Sequence, residues 1–169
     1  MPEPGLLPIL QWPDPRLSQR CEPVDSVAEV ADLIPQMFQT MYAAPGRGLA
    51  APQVGVMKRL FVMDCTWKEG ERTPYAMINP VIMAAERTPV TMDEGCLSIP
   101  GILVPVERPV AVTVQWTSET GEIHMDDFDG FEARCIQHEF DHLNGTVTLD
   151  RIAPDLRAEL EAGYTAARA

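Results

Sequence analysis

The chain has 169 residues, of which 46% are hydrophobic and 22% are charged. This length and apolar content predict one domain over residues 1–169 with a buried core, and they exclude an intrinsically disordered chain. The net charge of −12, from 25 acidic and 13 basic residues, argues against direct binding to nucleic acid. No uncharged stretch reaches the about 18–20 apolar residues that a membrane span needs, so no membrane association is expected.

The chain also carries signals about its compartment. Its first four residues, MPEP, lack the basic and apolar regions of an export signal, so we expect a cytoplasmic protein. The four cysteines, Cys21, Cys65, Cys96 and Cys135, include no CxxC pair. Because a reducing cytoplasm disfavours disulfides, free thiols are expected.

The first predicted element is a helix. Apolar residues recur at helical spacing over residues 27–41, with Asp25 or Ser26 as the cap and an end before Pro45. Pro35 is expected to bend this helix or to delay its start. Apolar segments between turn-forming residues then predict strands at residues 59–65, 75–83, 104–106 and 110–116.

Two further helices are predicted near the C-terminus, at residues 131–143 and 155–167. Gly145 follows the first of them as a helix-ending glycine. An order of helix, strands and helix is typical of an α+β fold. We therefore expect antiparallel strands packed around the helix at 131–143, with an N-terminal helix and a short C-terminal helix.

The helix at 131–143 contains the pattern HExxH. His138 and His142 are four residues apart and share one helical face, so both imidazoles can bind one divalent ion. Glu139 points about 100° away around the helix and can act as a base beside that ion. This order of residues is typical of metal-dependent hydrolases. Two ordinary buried histidines and a surface glutamate are the alternative interpretation.

A hydrolytic metal site needs a third protein ligand. No histidine follows His142, and Thr148 stands where the metzincin proteases have one. Cys96, in the segment EGCLS, is an upstream candidate whose thiolate suits a soft or borderline metal. A downstream carboxylate, Glu159 or Glu161, is the alternative and would indicate a metallopeptidase.

The segment GRGLAAPQ is a third candidate for function. Its two glycines, Gly46 and Gly48, indicate a tight turn or a close backbone approach. Gln53 at its end can present a carboxamide donor to a developing oxyanion. A structural loop with an incidental glutamine is the alternative.

Together, GRGLAAPQ, EGCLS and QHEFDHLNG, in this order, resemble the three signature motifs of the peptide deformylase family. Residues 9–17 resemble the opening of that family, so the resemblance extends over about residues 9–152. It implies a hydrolase that removes the N-formyl group from the N-terminal formylmethionine of newly made polypeptides and releases formate. A catalytically silent member that only binds N-terminal peptides is the competing hypothesis.

The resemblance also implies a metal site. The ligands would be Cys96, His138 and His142, and the ion would be Fe(II), with Zn, Ni or Co able to replace it. Glu139 would accept a proton and later deliver one to the leaving amine. Glu94 and Arg108 lie where the family often has a supporting salt bridge.

Further residues are implied around the substrate, an N-formylmethionyl peptide. Gln53 and the backbone N–H of Leu97 would stabilise the oxyanion. Substrate contacts are expected from Gly48, Gly95, Arg47, Arg134 and Cys135. Leu103 is expected in a loop where some members have an arginine near the distal part of the peptide. The acidic balance of residues 150–169 favours a transient ribosome contact at most.

Overall fold

The computed structural model describes residues 5–168, so the first four residues, on which the expectation about an export signal rests, lie outside the described residues. The described chain contains antiparallel sheets and α-helices, which confirms the predicted α+β class. Its α-helices are α1 (Leu33–Ala43), α2 (Gly130–Leu143) and α3 (Pro154–Arg168). Within residues 5–168, no helix combines the length and the apolar character that crossing a membrane requires.

Seven strands are present in the described residues: β1 (Gly48–Ala50), β2 (Leu60–Met63), β3 (Tyr75–Ala85), β4 (Pro89–Cys96), β5 (Ile99–Pro109), β6 (Ala111–Thr117) and β7 (Ile123–Asp129). Five of them form an antiparallel sheet in the order β1-β2-β3-β6-β7. The other two, β4 and β5, form a separate antiparallel hairpin. Each of the four predicted strand segments overlaps a strand, but β2 is shorter than the predicted 59–65 and β5 is much longer than the predicted 104–106.

Strand β2 is covered on both faces, and all four of its residues are buried. Leu60 and Val62 pack in the cluster that includes α1, whereas Phe61 and Met63 pack in the cluster that includes α2. This alternation follows from the opposite directions of successive side chains in a strand. The five-stranded sheet is therefore held between α1 on one face and α2 on the other.

Helix α1 begins later than the apolar spacing alone suggests. Residues Val27–Val30 form a short 3-10 helix capped by the Ser26 side chain, and α1 then starts at Leu33. Pro35 lies in the first turn of α1, where the missing N–H has no helical partner to lose. The delayed start that Pro35 predicts is thus present, and the helix ends before Pro45.

Helix α2 is buried along most of its length, between the five-stranded sheet and the β4–β5 hairpin. Gly145 follows it with φ +74°, and a Cβ there would lie 2.7 Å from the backbone carbon of Ser18. Only glycine therefore fits at this position. Helix α3 packs against β5, and the Tyr164 hydroxyl donates a hydrogen bond to the Trp12 carbonyl at 2.8 Å.

Candidate metal centre

Three candidate ligands meet between α2 and the end of β4. The ligand atoms of Cys96, His138 and His142 all lie within 4.8 Å of one another, and no other such group of three occurs among residues 5–168. Cys96 Sγ lies 3.4 Å from His142 Nε2. A tetrahedral ion with metal–sulfur and metal–nitrogen distances of about 2.3 and 2.1 Å needs ligand atoms roughly 3.5 Å apart. The three side chains therefore fit a divalent metal ion.

The orientation of His138 is fixed by a buried carboxylate. His138 Nδ1 donates to Glu94 Oε1 at 2.9 Å, which leaves the Nε2 lone pair for a metal. Arg108 holds Glu94 through two hydrogen bonds of 2.6 and 2.9 Å, and Arg134 adds one of 2.6 Å. Although burial raises the pKa of Glu94, hydrogen bonds from His138 and Arg108 lower it to about 2. Glu94 is therefore an ionised acceptor, as the predicted pair with Arg108 requires.

The charged network continues from Glu94 to the surface. Arg108 also donates to Asp141 at 2.9 Å, and Arg151 binds the same carboxylate with hydrogen bonds of 3.0 and 2.5 Å. Arg108 and Asp141 are buried, whereas the Arg151 side chain is 46% exposed. No local pattern in the sequence marks Asp141 or Arg151 as partners in this network.

Glu139 makes far fewer hydrogen bonds than the nearby carboxylate of Glu94. It is buried, and its Oε2 lies 4.0 Å from His138 Nε2, while Oε1 has no hydrogen-bond partner in the described residues. Burial raises the pKa of Glu139 to about 7. A Cβ on Gly48 would lie only 2.5 Å from Oε2, so glycine at this position makes room for the carboxylate. A carboxyl of this kind can both accept and return a proton near neutral pH.

Gln53 is held with its amide nitrogen facing the ligand group. Its Oε1 accepts from the Ala50 N–H at 2.8 Å, and its Nε2 donates to Ser98 Oγ at 3.0 Å. The same Nε2 lies 3.7 Å from Cys96 Sγ. Because the side chain is buried and bonded at both ends, its donor has one orientation. Ser98, which completes this arrangement, was not identified from the sequence.

An open cleft of about 760 Å³ lies beside these residues. Every residue predicted to contact the substrate lines it: Gly48, Gly95, Arg47, Arg134 and Cys135. Gln53, Leu97 and Glu139 line it as well. Leu103 also faces the cleft, but it belongs to strand β5, so its expected place in a loop is wrong.

Arg134 has a second set of contacts that the sequence did not indicate. Beyond Glu94, its guanidinium donates to the carbonyls of Val106 at 2.9 Å and Val90 at 2.6 Å. It therefore ties α2 to both strands of the β4–β5 hairpin. The charge of Arg134 is therefore compensated by groups inside the protein, although the residue borders the cleft.

The remaining candidates lie outside the ligand group. Glu161 accepts a hydrogen bond from Arg157 at 2.6 Å within α3, and Glu159 is exposed. The downstream carboxylate that a metallopeptidase would need is therefore absent from the described group of ligands. The four cysteines are all free thiols, as expected.

Comparison with known proteins identifies the family. The sequence model described as polypeptide deformylase matches residues 6–158. The chain is 45% identical to the peptide deformylase of Afipia carboxidovorans over 160 residues, which is 94% of each protein. It is 47% identical to that of Chlorobaculum tepidum over 150 residues, covering 87% of this chain and 80% of the relative.

Solved structures agree with this result. The crystal structure of peptide deformylase from Ehrlichia chaffeensis has a TM-score of 0.89 and 37% identity, covering 97% of each chain. A structure of the enzyme from the same organism in complex with actinonin has a TM-score of 0.88 and 40% identity, covering 97% of this chain and 99% of the other. The chain therefore belongs to the polypeptide deformylase family.

Proposed function

We propose that this protein is a metal-dependent hydrolase that removes the N-formyl group from the N-terminal formylmethionine of newly made polypeptides and releases formate. Membership of the polypeptide deformylase family supports this activity. The observation that carries it is the convergence of Cys96, His138 and His142 beside a buried carboxylate, Glu139, that borders an open cleft. A fold that only bound peptides would not need this ligand group.

The metal is proposed to be Fe(II), held by Cys96, His138 and His142, with Zn, Ni or Co able to replace it. One thiolate and two imidazoles form a borderline-soft donor set that suits these ions. When bound, the ion supplies Lewis-acid polarisation of the formyl carbonyl and lowers the pKa of the attacking solvent. Glu94 supports the site by keeping the His138 ring in one orientation.

The proton transfers are assigned to Glu139. Its Oε1 has no partner in the described residues, and its raised pKa of about 7 lets it take a proton from the attacking water. The same carboxyl then delivers a proton to the departing amine. Gln53 Nε2 and the backbone N–H of Leu97 are proposed to donate to the oxyanion, and the fixed carboxamide of Gln53 loses little freedom in doing so.

The peptide is proposed to bind as an added strand at the edge of β1. The Arg47 carbonyl accepts from the Asp64 N–H at 2.9 Å, so this pair is hydrogen-bonded and the next residue, Gly48, turns its N–H and C=O away from β2. Those groups face the cleft and can pair with an extended peptide. Gly95 borders the cleft on the other wall and is proposed to pair with the same peptide.

The first side chain of the peptide is proposed to follow the direction of the missing Gly48 Cβ. That direction leads towards Cys135, whose Sγ would lie 2.9 Å from such a Cβ. The cleft there is bordered by apolar side chains, which suits methionine. Because the formyl carbon carries only hydrogen, a narrow space beside the ligand group accepts formyl and excludes acetyl.

The compartment and the other partners are also proposals. We place the protein in the cytoplasm, with formylmethionyl peptides as its substrates. Helix α3 and the turn before it offer little free positive charge, because Arg157 pairs with Asp150 and Glu161, and Arg151 pairs with Asp141. Any contact with the ribosome through this region is therefore proposed to be transient.

Formate release from a formylmethionyl tripeptide tests the activity. Protein loaded anaerobically with Fe(II), or with Ni(II), should release one formate per peptide. The variant Cys96→Ala should lose both the metal and the activity, whereas Glu159→Gln and Glu161→Gln should retain both. Metal content by mass spectrometry separates loss of the ion from loss of chemistry. Absence of formate with every peptide, from protein that retains its metal and binds peptide, would instead establish a silent peptide-binding module.

A further inference from the structure

The rim of the cleft carries positive charge on an otherwise acidic protein. The chain has a net charge of −12, yet Arg47 and Lys68 both border the cleft on the β1 side. The opposite wall contains Glu94, whose charge is already balanced by Arg108 and Arg134. It also contains Asp93, so the positive charge is confined to the β1 side. The two basic side chains therefore create a local positive potential beside the proposed path of the peptide.

Arg47 makes only weak interactions with the rest of the protein. Its guanidinium lies 5.4 Å from the centre of the Phe131 ring, and its side chain is 32% exposed. Its ion-pair partner, Glu69, lies 3.4 Å away and is 65% exposed. A surface pair of this length contributes little, so an incoming carboxylate can compete for the guanidinium.

Lys68 makes still weaker interactions than Arg47. Its ammonium lies 5.7 Å from the centre of the Trp67 ring, and no carboxylate of residues 5–168 lies within ion-pair distance of it. The Trp67 indole donates to the Gly46 carbonyl at 2.9 Å, which ties the segment carrying Lys68 to the start of β1. Lys68 is thus held beside Arg47 at the same end of the cleft.

The strand geometry shows which part of a peptide passes these charges. Gln53 and Glu139 mark the end of the cleft where the formyl group would react, and Gln53 follows Gly48 along the chain. A peptide paired with β1 therefore runs antiparallel to it, from Gly48 towards Arg47. The first residue of the peptide then lies opposite Gly48, and the second lies opposite Arg47. Because the side chains of directly opposed residues share a face of the sheet, the second side chain of the peptide lies beside that of Arg47.

We infer that this cleft contains a subsite for a carboxylate in the second or third residue of the formylated peptide, formed by Arg47 and Lys68. The inference rests on the proposed deformylase function. An aspartate or glutamate at these positions displaces Glu69 from Arg47 and lies within reach of Lys68. Asp93 borders the opposite wall and repels the carboxylate towards the β1 side. The subsite contains none of the residues assigned to metal binding or proton transfer, so it acts on binding rather than on the chemical step.

The test compares formyl-Met-Ala-Ala amide with peptides that carry Asp, Asn or Lys at the second or third residue. With the Ni(II) enzyme, kcat/KM for Asp should exceed that for Asn by about fivefold at one of the two positions, through a lower KM, with Lys below both. Added salt at about 0.5 M should remove most of this preference.

Substitutions then assign the preference to the two side chains. Arg47→Gln and Lys68→Gln should each lower the Asp-to-Asn ratio about two- to threefold. The ratio is the readout, because it cancels any change in the rate with the neutral peptide. Lys58→Gln is the matched control, since Lys58 pairs with Glu29 away from the cleft, and it should leave the ratio unchanged.

Each negative outcome has a separate meaning. Equal kcat/KM for the Asp and Asn peptides at both positions in the unmodified enzyme would overturn the subsite and leave the deformylase activity intact. A preference for Asp that survives removal of both Arg47 and Lys68 would also overturn it. Absence of formate from every peptide, including the neutral one, would instead contradict the proposed function.

Discussion

Two buried carboxylates on neighbouring elements have opposite environments. Glu94, on β4, is bonded to Arg108, Arg134 and His138. Glu139, on α2, lies 4.0 Å from His138 and has one oxygen without a partner in the described residues. The pKa is lowered to about 2 in Glu94 and raised to about 7 in Glu139. Glu94, which has all its partners, therefore stays charged, whereas Glu139, which lacks them, can exchange a proton near neutral pH.

The same difference separates residues that support the site from residues proposed to react. A buried polar atom without a partner is costly, so such atoms are rare in folded proteins unless a ligand or a reaction uses them. Three such atoms occur in the described residues: Glu139 Oε1 and His142 Nδ1, which both belong to the HExxH pattern, and Thr148 Oγ1, which does not. The network of Arg108, Asp141 and Glu94 contains no such atom in the described residues. We therefore expect substitutions in the HExxH pattern to affect rate, and substitutions in the network to affect stability.

The largest effect is expected for Glu139→Gln. The amide keeps the shape of the side chain but cannot accept the proton, so kcat should fall by about 10²- to 10⁴-fold. The metal content should not change, because Glu139 is not in the ligand group. Formate assays and metal analysis on the same sample provide the measurement. An activity within tenfold of the unmodified enzyme would remove Glu139 from the proton transfers.

Arg108→Met should lower the stability of the protein, because Arg108 lies at the centre of the network with Asp141 and Glu94. It leaves Glu94 and Asp141 buried without their shared cation, and breaking a buried pair in this way costs about 3–5 kcal/mol of unfolding free energy. Urea unfolding of the metal-loaded protein measures this change. If the loss is below about 1 kcal/mol, Arg134 and Arg151 alone are sufficient to compensate the two carboxylates.

The sequence predicted the candidate ligands and the candidate base better than the residues that hold them in place. His138, Glu139 and His142 are fixed relative to one another by the helical repeat, so four-residue spacing alone places both imidazoles on one face. The upstream ligand, Cys96, was one of the open alternatives for the third ligand, and the resemblance between motifs favoured it, because no local rule connects β4 with α2. The contacts of Arg134 with the Val90 and Val106 carbonyls join residues 44 and 28 positions apart and leave no local pattern.

Strands that the sequence did not predict also have physical features that explain why. Strand β1 is only three residues long, and its glycine-rich surroundings resemble a turn. Strand β4 is largely exposed and pairs only with β5, so it shows neither an apolar run nor regular alternation of buried residues. In contrast, β2 has buried residues on both faces and a continuous apolar sequence, which made its segment recognisable.

The smallest effect is expected for Arg151→Gln, at the outer end of the network. Arg151 binds the same carboxylate as Arg108, but its side chain is 46% exposed, so solvent screens its charge. Because Arg108 remains to pair Asp141, the loss of unfolding free energy should be about 1 kcal/mol or less, with the formate-release rate unchanged. Urea unfolding beside Arg108→Met tests whether stability depends on depth in the network. Equal losses for the two variants would mean that the network acts as one unit, whose outermost charge matters as much as the cation at its centre.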